Sequence, residues 1–234
     1  MKTLNATLKT TLLTAVLLAS NVNAGQTEID QIEAAAAQLD VATLTQLQTE
    51  LQGYDLALAK YRLSLSANLK DDSNTAKKAI NEAMELLETL DEQTPEQVEV
   101  KALLAQVYGY KIALEPMKGI YYGPKSQSML AEAEAIDANN PRVLLVKGIG
   151  AINTPAMFGG SEKVAFESFS GAINQFSKDT YSNYHWGHAE AHTWRGMMHM
   201  QRGDLELAKK DWQKALDIDP NYGWAYSLLA QHSS

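Results

Sequence analysis

Apolar residues recur three and four positions apart from Thr27 onward, in segments rich in Ala, Leu, Glu, Gln and Lys. This spacing places apolar side chains on one face of an α-helix, whereas a half-buried strand alternates apolar and polar residues. No sustained alternation occurs in the sequence. The pattern therefore predicts a chain that is helical throughout.

Turn signals divide this helical pattern into segments of roughly 12 to 20 residues. The signals are clusters of Gly, Pro, Asn, Asp and Ser at 71–74, 93–95, 123–124, 139–141, 159–161, 203–204 and 219–221. Segments of this length are typical of arrays of helical hairpins. We expect leading helices over about 27–52 and a closing helix over 222–231.

The clearest repeating unit is Ala189 to Tyr222, AEAHTWRGMMHMQRGDLELAKKDWQKALDIDPNY. It resembles the tetratricopeptide repeat (TPR), a helix-turn-helix unit of about 34 residues. The resemblance depends on small residues where two helices cross, a large ring between neighbouring hairpins and a proline after the second helix: Gly196, Ala208, Ala215, Trp212 and Pro220. These residue types allow close helix packing and fill the space between hairpins.

Weaker copies of this unit lie upstream, at roughly 57–90, 102–138 and 141–178. Each copy has one small residue on its first helix and another on its second. The four pairs are Ser64 and Ala76, Gly109 and Ser126, Gly148 and Ala165, and Gly196 and Ala208. The predicted fold class is therefore all-α, an array of helical hairpins (TPR-like α-solenoid) of about four irregular repeats with flanking helices. The resemblance implies a non-enzymatic scaffold for protein–protein interaction that needs no cofactor.

The two middle repeats have longer turns than the outer two. Their paired small residues are 17 positions apart (126 − 109 and 165 − 148), against 12 in the outer repeats (76 − 64 and 208 − 196). The insertions EPMKGIYYGPK and NTPAMFGGSEK each run Pro, Met, aromatic, Gly and then a helix start. Equivalent turns of adjacent repeats lie side by side at one edge of an array.

Long turns with clustered aromatics are common recognition sites on rigid scaffolds. The candidate binding residues are Met117, Tyr121, Tyr122, Met157, Phe158, Gly159 and Gly160, with Trp186 closing one side from the connection before the fourth repeat. The alternative is that these aromatics only cover the core.

The concave face of the array is a second candidate surface, because first helices line it and such faces hold peptides or helices. The TPR resemblance places there Tyr61, Leu65, Asn68, Arg142, Leu145, Ile149, Asn153, Glu190, Thr193, Met197 and Met200. The alternative is that four repeats form no deep groove and that Leu145 and Ile149 are core residues.

The stretch HWGHAEAHTWRGMMHMQRGD holds four of the five histidines. On one helix, all four would fall within an arc of about 60°. A metal site at His188, His192 and His199 is therefore one interpretation. The repeat register favours another, in which His192 and His199 occupy first-helix positions that usually carry packed rings. Protonation of a buried histidine is a third.

The first 24 residues have the pattern of a secretory signal: Lys2 and Lys9, an apolar run over 12–19, and small residues at Val22 and Ala24. We expect cleavage after Ala24 and a periplasmic or secreted product. The alternative, an uncleaved anchor, would need an apolar run of about 20 residues. No later segment is long and apolar enough to span a membrane.

Leader removal would change the net charge from −8 to −10, since it takes two lysines and no acid (18 basic minus 28 acidic residues remain). This charge argues against nucleic acid and anionic membrane surfaces as partners. The chain has no cysteine, which excludes disulfides and thiolate chemistry. Gly-rich phosphate loops, HExxH and G-x-S-x-G motifs are absent as well, so we expect no enzyme.

Two classes of function are consistent with these observations. One is a scaffold that binds another exported or envelope protein. The other is an accessory protein that binds a small ligand of a periplasmic transport system. For the second, TPAMFGG followed by a repeat helix resembles loops in the periplasmic T component of tripartite ATP-independent (TRAP) transporters.

Overall fold

The computed structural model describes residues 25–180 and 183–232, so the expected leader lies outside the described residues. Within those ranges the chain forms α-helices and two short 3-10 turns, Pro116–Lys118 and Ala156–Phe158, and no strand. The helices are α1 Gln26–Ala37, α2 Val41–Leu47, α3 Gly53–Leu69, α4 Ser73–Gln93, α5 Val98–Leu114, α6 Gly119–Asp137, α7 Pro141–Asn153, α8 Glu162–Phe176, α9 His188–Gln201, α10 Leu205–Ile218 and α11 Gly223–Gln231. No helix in the described ranges is both long and apolar enough to cross a membrane.

Consecutive helices pack in pairs, α3 with α4, α5 with α6, α7 with α8 and α9 with α10. Helices α1 and α2 precede these four hairpins and contact α3, while α11 packs on α10. The predicted fold class, an all-α TPR-like array of about four irregular hairpins with flanking helices, is confirmed.

The helix crossings use the small residues that the sequence register identified. In the first hairpin the Ser64 hydroxyl donates to the Ala76 carbonyl over 2.8 Å. In the fourth, a Cβ on Gly196 would lie 3.1 Å from the Ala208 carbonyl oxygen and 2.5 Å from Trp212 Nε1. A Cβ on Gly148 would lie 2.6 Å from the Phe169 ring. The two helices of a hairpin approach closely because these positions carry little or no side chain.

Several helix starts follow directly from capping residues. The Asp40 and Asp72 carboxylates accept from the backbone N–H groups of Thr43 and Thr75, both over 3.0 Å. At α7 the Asn140 side chain accepts from two backbone N–H groups, and a proline occupies the first helical position. Side-chain acceptors before the first turn and proline within it both stabilise helix starts.

Helix α6 begins earlier than expected. The proline of GIYYGPK suggested a helix start near Pro124, but the helix already begins at Gly119 and Pro124 lies inside it. Proline cannot donate to the carbonyl four residues earlier, which belongs to Ile120. Ile120 is 94% exposed, so solvent can reach this turn of the helix. Tyr121 and Tyr122 are therefore helical, and the insertion has become mainly a longer helix.

Candidate functional site

The surface formed by α3, α5, α7 and α9, here called the first-helix face, is covered by the chain itself. The described part of the connection between α8 and α9 crosses it. The Trp186 indole N–H donates to the Tyr54 hydroxyl over 2.9 Å, and a Cβ on Gly187 would lie 2.5 Å from Leu145 Cδ2. The connection thus occupies the place where a concave groove was predicted.

Helix α1 covers the neighbouring part of this face. The buried Arg62 guanidinium on α3 donates to both Glu33 oxygens, over 2.7 and 3.0 Å, and to Glu190 of α9 over 3.1 Å. The Gln26 amide pairs with the backbone N–H and carbonyl of His185, each over 3.0 Å. Burial raises the pKa of Glu33, and the Arg62 charge opposes that rise. Helix α1 therefore joins the first and last repeats through a desolvated ion cluster.

Several residues predicted to line a groove are therefore core residues. The buried ones are Tyr61, Arg142, Leu145 and Thr193. The Tyr61 hydroxyl accepts from Gln106 over 2.8 Å, and Arg142 contacts Glu99 over 2.6 Å. Both polar side chains thus have their partners inside the chain and do not face a groove. The prediction that these residues form an open peptide groove is wrong.

Trp186 also lies elsewhere than predicted. Its side chain is 3% exposed and its ring lies 5.2 Å from the Arg62 guanidinium carbon. Tyr54, its hydrogen-bond partner, is the second residue of α3, whereas the long turns follow the other ends of α5 and α7. The hydroxyl of Tyr54 supplies a partner for the buried indole N–H, which explains the placement.

The two 3-10 turns and the start of α6 carry the main group of exposed large apolar side chains in the middle repeats. Each 3-10 turn presents a methionine, Met117 at 93% exposure and Met157 at 82%. Phe158 is 63% exposed, Tyr121 59% and Ile120 94%. We call these five residues the loop edge. Large apolar side chains grouped in this way on a protein surface usually mark an interaction site.

Helix α6 begins at the first long turn and contacts the second. Ile120, Gly123 and Gln127 follow each other at spacings of three and four, so they share one face of the helix. The Gln127 side-chain amide donates to the Phe158 carbonyl over 3.5 Å, at the limit for a hydrogen bond. From Ile120 to Gln127 the helix rises roughly 10 Å. The loop edge is thus a strip with one methionine-bearing turn near each end.

Tyr122 supports the strip from beneath. Its ring stacks on Tyr108 with centroids 5.6 Å apart and meets Tyr121 edge-on at 4.8 Å. Lys125 Nζ lies 5.0 Å from the Tyr121 centroid and 3.1 Å from Glu88. The ammonium group and the stacked rings hold Tyr121 in place at the surface.

The two glycines of the second turn shape the backbone. Gly159 has a φ of 99°, in the left-handed region that favours glycine. A Cβ on Gly160 would lie 1.7 Å from the Thr154 carbonyl oxygen, so no larger residue fits without movement. The turn closes where the Ser161 N–H donates to the Ala151 carbonyl over 2.9 Å. These glycines set the direction of Met157 and Phe158.

The histidines of this stretch pack against rings and against two carboxylates, those of Asp179 and Asp211. The His188 ring stacks on Phe176 with centroids 5.2 Å apart, and burial lowers its pKa to about 4. His192 Nδ1 lies 2.9 Å from Asp211, and His199 Nε2 lies 3.8 Å from the same side chain. In the described part of the chain, no group of three or more His, Cys, Asp or Glu is arranged to hold a metal ion.

The sequence pattern missed two features of this surface. Ile120 was not among the candidates, because GIYYG was interpreted as a turn and not as an exposed helix face. The filling of the first-helix face had no local signal, since Arg62 and Glu190 are 128 positions apart. Exposed and buried apolar residues look alike in sequence unless the helix start is known.

A family model, "Tetratricopeptide repeat", matches residues 189–222. The chain thus contains a segment that is similar to one tetratricopeptide repeat. The matched residues are those of the unit that the sequence singled out. In a comparison with solved structures, the chain resembles HusA, a haemophore from Porphyromonas gingivalis. The identity is 18%, 75% of this chain and 91% of HusA are covered, and the TM-score is 0.50, a likeness of fold alone.

A thermophilic TPR protein of Thermus thermophilus also aligns with this chain. Its identity is 19%, the alignment covers 87% of this chain and 96% of that one, and the TM-score is 0.49. No curated protein sequence matches the chain.

Proposed function

We propose that this protein is an exported, non-enzymatic scaffold that binds another exported or envelope protein through the loop edge. The observation that supports the proposal is the strip of five exposed apolar side chains at the long turns of the middle repeats. The first-helix face is filled by α1 and by the connection before α9, which leaves this edge as the main exposed apolar surface among the described residues of the middle repeats. The leader-like first 24 residues support export.

The chemistry of the strip suits an apolar polypeptide segment. Met117 and Met157 have flexible, polarizable side chains that adapt to the shape of a partner. Tyr121 and Phe158 supply rigid rings, the kind of side chain that provides most of the binding energy in protein interfaces. A partner helix with one apolar face, or a short extended segment, would cover a strip of this length.

The test is capture of partners from the exported fraction of the source cells, with identification by mass spectrometry and affinity measured on the purified pair. Replacing Ile120 and Phe158 together by Ser should weaken binding at least tenfold, because buried interface anchors contribute about 1.4 kcal/mol or more. Leu207→Ser with Tyr226→Ser is the matched control, since both side chains are exposed, at 46% and 66%, but lie outside the loop edge. Circular dichroism should be unchanged in both variants.

Undiminished capture by the Ile120→Ser, Phe158→Ser variant would exclude the loop edge as the binding surface. Equal loss in the control variant would show non-specific adsorption to exposed apolar residues. Export is tested separately, because the intact mass of the protein from its own compartment should correspond to a chain that begins at Gly25.

A second candidate is an accessory protein that binds a small apolar ligand of a transport system. The exposed methionines and rings of the loop edge favour it, because such side chains also bind flat apolar molecules. Native mass spectrometry of protein purified from its own compartment distinguishes the two functions. A retained small molecule supports this candidate, whereas a co-purifying polypeptide supports the scaffold.

A further inference from the structure

Asp55, the third residue of α3, is a buried carboxylate with too few partners. Its side chain is 9% exposed, and Oδ2 accepts one hydrogen bond, from the Gly25 backbone N–H over 3.1 Å. Oδ1 is buried and has no hydrogen-bond partner among the described residues. Burying a carboxylate is costly unless it is paired or fully hydrogen-bonded. The site therefore lacks a positive group.

The surroundings of Asp55 increase this deficit. Burial raises the pKa of Asp55 to about 6, the Gly25 N–H lowers it, and the Glu28 carboxylate raises it. No cation of the described chain is among these influences. Glu28 also faces Gly25, since a Cβ on Gly25 would lie 1.9 Å from Glu28 Oε2. Two carboxylates thus lie close to Gly25, and the Asp55 carboxylate accepts from its backbone nitrogen.

That nitrogen is the atom that leader removal would change. Hydrolysis of the amide bond between Ala24 and Gly25 consumes one water molecule, leaves a carboxylate on Ala24 and gives Gly25 a primary amine. An α-amino group has an ordinary pKa of about 7.7 to 8.0, so it carries a proton and a positive charge at pH 7. One neutral N–H donor becomes an ammonium group with three donors, at hydrogen-bond distance from Asp55.

We propose that Asp55 is the docking site for the mature amino terminus, with the Gly25 ammonium group bound to Oδ2 and donating a second hydrogen bond to Oδ1. The inference rests on the proposed export with cleavage after Ala24. It assigns a role to the unpartnered oxygen, and it links processing to the fold. Gly25 immediately precedes α1, so the ion pair fixes the helix that covers the first-helix face.

The experiment compares two forms of the protein. One begins at Gly25 with a free amine, and the other begins at Val22, which keeps the natural amide at Gly25 and moves the charge roughly 10 Å along the chain. The Gly25 form should melt about 5 °C higher at pH 7, because it forms one partly buried ion pair that the Val22 form lacks. In the Gly25 form, nitrogen NMR should show a pKa of the α-amino group above its ordinary value, because the Asp55 carboxylate favours the charged amine.

Substitution identifies the carboxylate responsible. Asp55→Asn should abolish the difference in melting temperature between the two forms. Asp30→Asn is the control, because it removes a carboxylate of α1 that accepts from the Gln26 side chain over 2.9 Å, and the difference should persist. If Asp55→Asn does not fold, the pKa of the α-amino group in the unsubstituted Gly25 form still tests whether the amine is paired with a carboxylate.

Equal melting temperatures of the two forms together with an ordinary α-amino pKa would overturn the docking site. Failure of the export proposal gives a different result, since the intact mass of the native protein would then show a start other than Gly25. That outcome removes the site's role in the cell, whatever the two purified forms show.

Discussion

Gly196 and Gly109 occupy the same repeat position but have different surroundings, so the same substitution should have opposite effects. An added Cβ at Gly196 would meet Trp212 Nε1 at 2.5 Å, Trp212 Cδ1 at 2.6 Å and the Ala208 carbonyl oxygen at 3.1 Å. At Gly109 the added atom would meet only Ser126 Oγ, at 3.9 Å, an ordinary contact. The comparison isolates packing from the intrinsic preference of alanine for helices.

The magnitudes follow from two opposing effects. Gly→Ala in a helix interior stabilises by up to about 1 kcal/mol because glycine loses more backbone freedom on folding. Overpacking a filled core costs about 1 to 3 kcal/mol. Trp212 is fully buried and cannot move into solvent. Gly196→Ala should therefore destabilise by about 1 to 2 kcal/mol, whereas Gly109→Ala should stabilise by about 0.5 to 1 kcal/mol.

Thermal unfolding followed by circular dichroism, with urea titration as a second measure, decides between these outcomes. For a chain of this size we expect Tm to fall by about 2 to 8 °C in Gly196→Ala and to rise by about 1 to 4 °C in Gly109→Ala. Gly196→Leu should unfold at still lower temperature. The reasoning about the crossing is refuted if both alanine variants shift Tm in the same direction by similar amounts.

Three further substitutions test the core, the second long turn and a buried ion pair. Burial lowers the pKa of His188 in the folded protein to about 4, so just below pH 6.5 only the unfolded chain binds a proton at this imidazole. Stability is therefore lost as the pH falls from 6.5 to 4. His188→Phe keeps the ring stack and should remove up to about 3 kcal/mol of this loss, measured by urea unfolding at pH 4.5 and 7. An unchanged dependence of stability on pH would contradict the argument. Gly160→Ala, whose Cβ would clash with a carbonyl, should lower stability by about 2 kcal/mol or more, whereas Gly123→Ala, with open space around it, should not. Arg142→Met should lower the free energy of unfolding by about 3 to 5 kcal/mol, because it leaves Glu99 buried without its cation. Adding Glu99→Leu to this variant should restore most of the lost stability if the pairing argument holds.

The fourth repeat could be predicted from sequence because its determinants are local. Gly196, Trp212 and the turn at 203–204 lie within 34 residues, and spacing alone fixes which residues meet at the crossing. The same register located the small residues of the other hairpins. The long turns could be located for the same reason, since an insertion shows as a changed spacing between two small residues.

The occupant of the first-helix face could not be predicted, because it comes from distant parts of the chain. Trp186 meets Tyr54 across 132 positions, and no short pattern in either segment indicates the partner. The start of α6 was missed for a different reason. Proline is common in the first turn of a helix, so Pro124 suggested a boundary, whereas the exposed preceding turn tolerates the lost hydrogen bond. Ile120 was left out of the candidate residues because of that error.

The contacts of α1 with both ends of the array change how the protein should unfold. In an open repeat array each unit touches only its neighbours, so the terminal units fray first and stability grows with the number of units. Here the Gln26 side-chain amide hydrogen-bonds to the backbone of His185, just before α9. Gly223 at the start of α11 lies against the Ala37 carbonyl. The first and last units are thereby neighbours, as in a ring, and neither is a free end. Amide hydrogen exchange should then be as slow in α9 as in α3, and unfolding should be a single concerted event without a terminal unit from which it can spread.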